Sequence, residues 1–218
     1  MNSAWTADID CPMSRRLAVI FDMDGVLVDS YRAHFRSWKI MAAERGRAIT
    51  QADFDATFGR TSRETIAWLW PDARLSDDQI AALDRRKEEA FREILAAEFP
   101  SMPGAIELLQ ALGAAGFALA VGSSGPPENV SLVLEHLGAR PFFEAVVTGA
   151  DVTRGKPDPQ VFLRAAERLS IPPNHCAVVE DAPLGVEAAM AAGMASIGLA
   201  STGRTRQMLA QADLVVGS

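Results

Sequence analysis

The chain has 218 residues, 49% hydrophobic and 22% charged. That is the composition of an ordinary folded globular protein, and it excludes intrinsic disorder and fibrous repeats. Twenty-one Lys+Arg against 28 Asp+Glu give a formal net charge of −7, which leaves no cationic excess for nucleic-acid phosphates or an anionic lipid surface; no nucleic acid and no membrane is expected as a partner.

Residues 1–14 carry Asp8 and Asp10 and lack an apolar core behind a basic start. They do not read as a secretory signal, and an N-terminal extension is expected there, disordered, with Met13 a candidate start. The two cysteines, Cys11 and Cys176, cannot make a disulfide framework, so a cytoplasmic, reducing setting is expected. Leu17 to Phe21 is a continuous apolar run that stops at Asp22-Met23-Asp24-Gly25, as a buried parallel strand ending at a loop does. From there to Pro100 the pattern is helical only. Tyr31, His34, Phe35, Trp38 and Met41 recur at helical spacing, and Leu83 to Ala97 combines Arg, Lys and Glu with an apolar stripe, which predicts a solvated helix. Trp68 and Trp70 are expected to pack inside this segment.

From Gly104 onward helices and strands alternate. Helices are predicted near Ala105–Ala115, Glu128–Leu137, Gln160–Leu169 and Pro183–Ala192, with Asp158 as N-cap of the third and Pro159 in its first turn. Strands are predicted near Phe117–Gly122, Ala145–Thr148, Cys176–Glu180, Ala195–Leu199 and Asp213–Val216. The apolar stretches Gly113–Gly122 and Ala188–Ala200 fall short of the roughly 18 to 20 residues of a membrane span. Repeated βα units predict an α/β fold: a doubly wound, Rossmann-like parallel-sheet core from residues 15–30 and 100–218, with an all-α insertion at residues 31–99.

Right-handed crossovers bring the carboxyl ends of such strands together, where ligands bind. Asp22 and Asp24 stand at the first of these ends; an isolated pair of this kind equally suits a turn that caps its own backbone. Three later features favour chemistry. Val121-Gly122-Ser123-Ser124-Gly125 ends a strand with two hydroxyls and free amides, a suitable phosphate cradle. Gly155-Lys156-Pro157-Asp158-Pro159 sets one lysine in a rigid loop, and Glu180-Asp181 ends another strand with adjacent carboxylates. Carboxylate oxygens with open geometry suit Mg2+, and a carboxylate can attack phosphorus once cations neutralise the phosphoryl oxygens.

Asp22-Met23-Asp24-Gly25-Val26-Leu27-Val28-Asp29-Ser30, then Ser123, Lys156 and Glu180-Asp181, resemble in order the four motifs of the haloacid dehalogenase-like superfamily, with the nearest likeness to its β-phosphoglucomutase-like phosphatases. The resemblance spans Leu17 to the end; at Ser218, directly after the last predicted strand, relatives add a further helix. It implies that Asp22 is the nucleophile and Asp24 the general acid and base, that Ser123, Ser124 and Lys156 hold the phosphoryl group, and that Mg2+ is bound by Asp22, the Asp24 backbone carbonyl and Asp181, with Glu180 beside them. The all-α insertion then resembles a helical cap domain that closes over the substrate.

Within it, the loop Phe58-Gly59-Arg60-Thr61-Ser62-Arg63-Glu64 resembles the one that reads the substrate. Arg60 and Arg63 are candidate substrate contacts, with two solvated arginines as the alternative. His34 stands where many such members carry a histidine at the cap interface; a proton carrier, a sugar contact or plain packing beside Trp38 all fit it. His136 is expected to favour a helix dipole, Cys176 to be inert core, and His175 has no partner to name.

The reaction expected is Mg2+-dependent hydrolysis of a small phosphorylated metabolite, a sugar phosphate or similar, through an aspartyl-phosphate, by a monomer or a dimer. The alternative is a β-phosphoglucomutase-type transfer; Ser30 in place of a common threonine, and Gly125-Pro126-Pro127 in place of a basic residue, favour hydrolysis. Dehalogenation needs neither Mg2+ nor an acid two residues after the nucleophile, so Asp24 argues against it. A noncatalytic phosphate-binding module is expected to have lost one of Asp22, Asp24, Lys156 or Asp181, and none is lost.

Overall fold

The computed structural model describes residues 16–217; the extension expected at residues 1–14, with Cys11, lies outside the described residues. Six parallel strands form one sheet in the order β3-β2-β1-β4-β5-β6: β1 (Ala18–Phe21), β2 (Ala118–Gly122), β3 (Ala145–Val147), β4 (Cys176–Glu180), β5 (Ala195–Ala200) and β6 (Leu214–Gly217). β1 is flanked by β2 and β4 in one register, Phe21 standing level with Val121 and Val179. The strand order reverses beside β1, which opens a crevice past its carboxyl end.

The central strands are apolar on both faces because both are covered. Val19 and Phe21 point to one side, into a core with Leu119, Val121, Leu109 and Val133, while Ala18 and Ile20 point to the other, against Phe162, Ala165, Ala188 and Ala189. Around the sheet lie α5 (Ala105–Ala114), α6 (Pro127–His136), α7 (Gln160–Leu169) and α8 (Pro183–Ala191). Asp158 caps α7 from one position earlier than expected. Pro159 occupies the cap position, and Asp158 Oδ1 accepts from the Gln160 N–H at 3.0 Å, because proline has no N–H to offer and the side chain reaches past it.

Between β1 and α5 run α1 (Tyr31–Ala43), α2 (Gln51–Thr57), α3 (Ser62–Leu69) and α4 (Asp77–Ala97). Each of the last three starts at a reciprocal capping box, Thr50 with Asp53, Thr61 with Glu64 and Ser76 with Gln79, which satisfies the orphan amides of short helices locally. Trp38, Met41, Phe54, Ile66, Leu69 and Leu83 form a core of their own. Two expectations need correction. The helix predicted at Leu83–Ala97 begins at Asp77 and is not simply solvated: Leu83, Lys87, Ala90, Phe91, Ile94 and Leu95 are buried, since its stripe covers α1 at one end and the sheet-facing core at the other. Trp68 is 38% exposed, whereas Trp70 packs against the helical core; α3 turns only one face inward and Ile66 and Leu69 occupy it. No described helix is long and apolar enough to cross a membrane.

Candidate active site

Asp22 continues the ladder of β1 by one residue, its N–H donating to Val179 O at 2.9 Å. The chain then closes a tight turn in which Gly25 N–H reaches Val28 O at 2.8 Å. Gly25 has φ +74°, and a Cβ there would lie 2.1 Å from Asp181 Oδ2, so only glycine lets the first loop approach the carboxylate that follows β4. Asp22, Glu180 and Asp181 are all buried, and each places a carboxylate oxygen within 4.8 Å of the others. Lys156 reaches them from the loop before α7, donating to Asp22 Oδ1 at 2.8 Å and Glu180 Oε1 at 2.5 Å. Ser123, at the end of β2, accepts the Gly125 N–H on its Oγ at 3.0 Å, which orients the hydroxyl and leaves its hydrogen free to donate.

The electrostatics follow from crowding. Burial, reinforced by Glu180 and Asp24 and opposed by Lys156, pushes Asp22 up to about 7. Burial and the charges of Glu180 and Asp22, opposed by Arg204, raise Asp181 well above the usual range. Burial works against the Lys156 ammonium, yet Asp22 and Glu180 hold its pKa above that of an ordinary lysine. A cluster of buried carboxylates under such mutual repulsion is the environment in which a bound cation is stabilised.

Asp24 stands apart from this triad. His34 Nε2 lies 3.3 Å from its Oδ1, and Lys87 Nζ lies 3.0 Å from His34 Nδ1. An ammonium only donates, so His34 Nδ1 accepts and the ring proton sits on Nε2, facing Asp24. Burial acts to raise Asp24, but the adjacent His34, the Ser30 side chain and the Lys87 charge bring its pKa below the usual value, although its buried Oδ1 has no hydrogen-bond partner of good geometry among the described residues. His34 stacks on Phe91 at 4.2 Å between ring centroids, so the ring is packed on one face while its two nitrogens face Asp24 and Lys87.

Lys87 in turn donates to Glu88 at 2.8 Å, and Glu88 accepts from Asn129 of α6 at 2.6 Å. Burial disfavours the Glu88 charge, but Lys87, His34 and these hydrogen bonds depress its pKa. A carboxylate lowered on folding contributes stability above its unfolded pKa of about 4.3 and loses it as pH falls toward the folded value. Glu88→Gln is therefore expected to cost about 3 kcal/mol at pH 7, because Lys87 stays buried without its counter-charge. The Tm gap to wild type should close as pH drops below 4; a gap that stays constant with pH would show that Glu88 acts by shape alone.

Asp22, Asp24, His34, Arg60, Ser123, Ser124, Lys156, Glu180 and Asp181 all line one cavity of about 440 Å³. Arg63 does not: its Nη2 donates to Asp77 at 2.8 Å, at the exposed start of α4, and that carboxylate holds it away from the cavity. Cys176 is buried, with its thiol pKa raised by burial, and His136 pairs with Leu132 O at 2.9 Å, both clear of the site as expected. Sequence reasoning missed Lys87, Glu88, Asn129 and Arg204. Only Lys87 carried a signal, a lone lysine four residues after Leu83 on the apolar stripe of α4.

Gly185, in the first turn of α8, is a second close approach. A Cβ there would stand 1.8 Å from Glu180 Oε1, the atom that receives Lys156. Alanine in a helix ordinarily stabilises it by about 1 kcal/mol. Here Gly185→Ala is expected to displace Glu180 instead, lowering turnover by about tenfold or more; a variant with wild-type turnover and a higher Tm would show that Glu180 can move freely.

A family model described as haloacid dehalogenase-like hydrolase matches residues 17–193. The chain is 32% identical over 205 residues to the validoxylamine A 7'-phosphate phosphatase of Streptomyces hygroscopicus subsp. limoneus, covering 90% of this chain and 91% of that protein. It is 32% identical over 185 residues to the fructose-1-phosphate phosphatase YqaB of Escherichia coli, covering 84% and 96%. A crystal structure of β-phosphoglucomutase from Clostridium difficile superposes with a TM-score of 0.82 at 25% identity, covering 93% of this chain and 91% of that one.

Proposed function

Since the chain belongs to the haloacid dehalogenase-like hydrolases, we propose that it is a Mg2+-dependent phosphatase of small phosphorylated metabolites, sugar phosphates or similar, acting through an aspartyl-phosphate on Asp22. The observation that carries this reading is the convergence of Asp22, Lys156, Glu180 and Asp181 in one buried cluster at the end of the sheet. The donor set fits a hard divalent cation: three carboxylates, two of them raised by burial and repulsion that a cation would relieve. Asp22, Asp181 and the Asp24 carbonyl would hold it, and when bound it supplies positive charge against the phosphoryl oxygens.

Asp22 Oδ2, the oxygen not bonded to Lys156, attacks phosphorus; a P–O bond forms to Asp22 and the P–O bond to the leaving oxygen breaks. Lys156 and the Ser123 hydroxyl take the phosphoryl oxygens, and Asp24 gives the leaving oxygen its proton. In the second half of the cycle water attacks phosphorus as the bond from phosphorus to Asp22 breaks, and Asp24, kept ionised by its lowered pKa, takes the water's proton; in the first half the incoming phosphate is a like charge that raises the Asp24 pKa again. His34 keeps the carboxyl turned toward the reacting oxygens. The helices of residues 31–99 act as a cap, their Arg60 loop closing the cavity against water.

Transfer to a sugar hydroxyl is the second reading, favoured by the likeness to a β-phosphoglucomutase. The test is phosphate release from fructose 1-phosphate, hexitol phosphates, nucleotides and 4-nitrophenyl phosphate with Mg2+, beside β-glucose 1-phosphate with a bisphosphate primer. Inorganic phosphate from a subset of esters, lost on chelation with EDTA and restored by Mg2+, is the expected result. Glucose 6-phosphate with little free phosphate would replace hydrolysis by transfer, and silence throughout would leave a phosphate-binding module.

A further inference from the structure

The loop between β5 and β6 carries a charge that the reaction above does not use. Arg204 lines the same cavity as Asp22, and its side chain is 7% exposed. Its guanidinium carbon lies 4.2 Å from the centre of the Phe58 ring, at the end of α2, and the Nη2 end sits beneath Gly59. The facing carboxylate, Asp181 Oδ2, is 3.7 Å from Nε, beyond hydrogen-bond range, and Nε has no acceptor among the described residues. The loop is tied down: Thr202 Oγ1 donates to Asp29 at 2.7 Å, and the Arg204 N–H donates to Ser201 O at 3.0 Å.

A buried guanidinium with an idle N–H is costly unless something completes it. Packing on Phe58 uses only the face of the group, and the Asp181 carboxylate at 3.7 Å balances its charge without taking a hydrogen bond from it. What remains is the in-plane fork, a rigid set of donors matched to two oxygens. It stands directly against Asp181 of the cluster where the phosphoryl group is taken, and next to the loop bearing Arg60. We propose that Arg204 is a substrate-reading residue, whose fork takes a pair of oxygens on the part of the substrate that is not transferred, either vicinal hydroxyls or a second anionic group.

This inference rests on the phosphatase reading and deepens it. The experiment compares Arg204→Met, which keeps the stem over Phe58, with wild type on two esters. Fructose 1-phosphate has oxygens along its whole length, whereas 4-nitrophenyl phosphate has no hydroxyl or acidic group beyond the phosphate. The ratio of their kcat/KM values should fall about tenfold in the variant, through KM for the sugar phosphate. Arg204→Lys, with charge but no fork, should not restore it. Equal losses on both esters, or full rescue by lysine, would overturn the inference, since a structural role or simple charge would act that way. Fructose 1,6-bisphosphate separates the two oxygen sources: a larger loss than on fructose 1-phosphate identifies an anionic group, an equal loss hydroxyls. If wild type releases no phosphate from any ester, the phosphatase reading fails. Calorimetric binding of fructose 1-phosphate to wild type and Arg204→Met then decides, and equal affinities or no binding to either would overturn the role of Arg204.

Discussion

Asp22→Asn should release phosphate at least about 10⁴-fold more slowly than wild type while melting at the same temperature or higher. The activity loss follows from chemistry: the amide keeps the shape of the carboxylate and its Oδ1 can still accept from Lys156, but it has no anionic oxygen to form the new P–O bond. The stability gain follows from burial. With its pKa raised to about 7 by desolvation and by Glu180 and Asp24, Asp22 is a charge the metal-free fold tolerates poorly at pH 8, and a neutral amide removes that repulsion. Phosphate release and thermal melts on the same two preparations, metal-free for the melts, check both halves. A variant that loses activity and Tm together would mean that Asp22 holds the loop rather than attacks phosphorus.

Asp24→Asn is the second large effect, and it should depend on the leaving group. With a sugar or polyol phosphate the leaving alkoxide needs a proton, and loss of the acid should cost about 10²- to 10⁴-fold. With 4-nitrophenyl phosphate the leaving phenolate departs unaided, so formation of the aspartyl-phosphate should be far less affected. Its hydrolysis still lacks the base, and stopped-flow traces should show a burst of nitrophenolate near the enzyme concentration followed by a slow phase. Equal losses on both esters without a burst would assign Asp24 to structure, as the His34 contact at 3.3 Å by itself would also allow.

The order of the site residues along the chain was readable because all but Lys156, which sits in the Gly- and Pro-bounded loop before α7, stand where an apolar strand stops. Asp22 follows Phe21, Ser123 follows Gly122, and Glu180 closes β4; a strand buried on both faces must end at polar residues, and in a parallel sheet those ends share one side. The helical segment was harder. Arg60 and Arg63 look alike in sequence, three residues apart, yet Arg60 lines the cavity and Arg63, in the first turn of α3, pairs with Asp77. The turn of α3 decides which is which, and nothing local to the loop records it.

What the chain alone determined is therefore the alternation of strands and helices, the doubly wound sheet and the carboxylates, hydroxyls and lysine at its edge, since these depend on local periodicity and on rules of parallel connection. Tertiary structure decided the partners. The stripe of α4 marks Lys87 as inward, but only α1, bringing His34 to 3.0 Å, gives it a partner, and Gly185 looks like an ordinary helix residue until Glu180 lies where its Cβ would be. Arg204, in a loop more than 140 residues from Phe58 in sequence, is drawn into the cavity only when the α2 end and the β5–β6 loop meet. Each of these depends on contacts between residues far apart in the chain, whose energies come from burial and opposed charge and leave no periodic mark on the sequence.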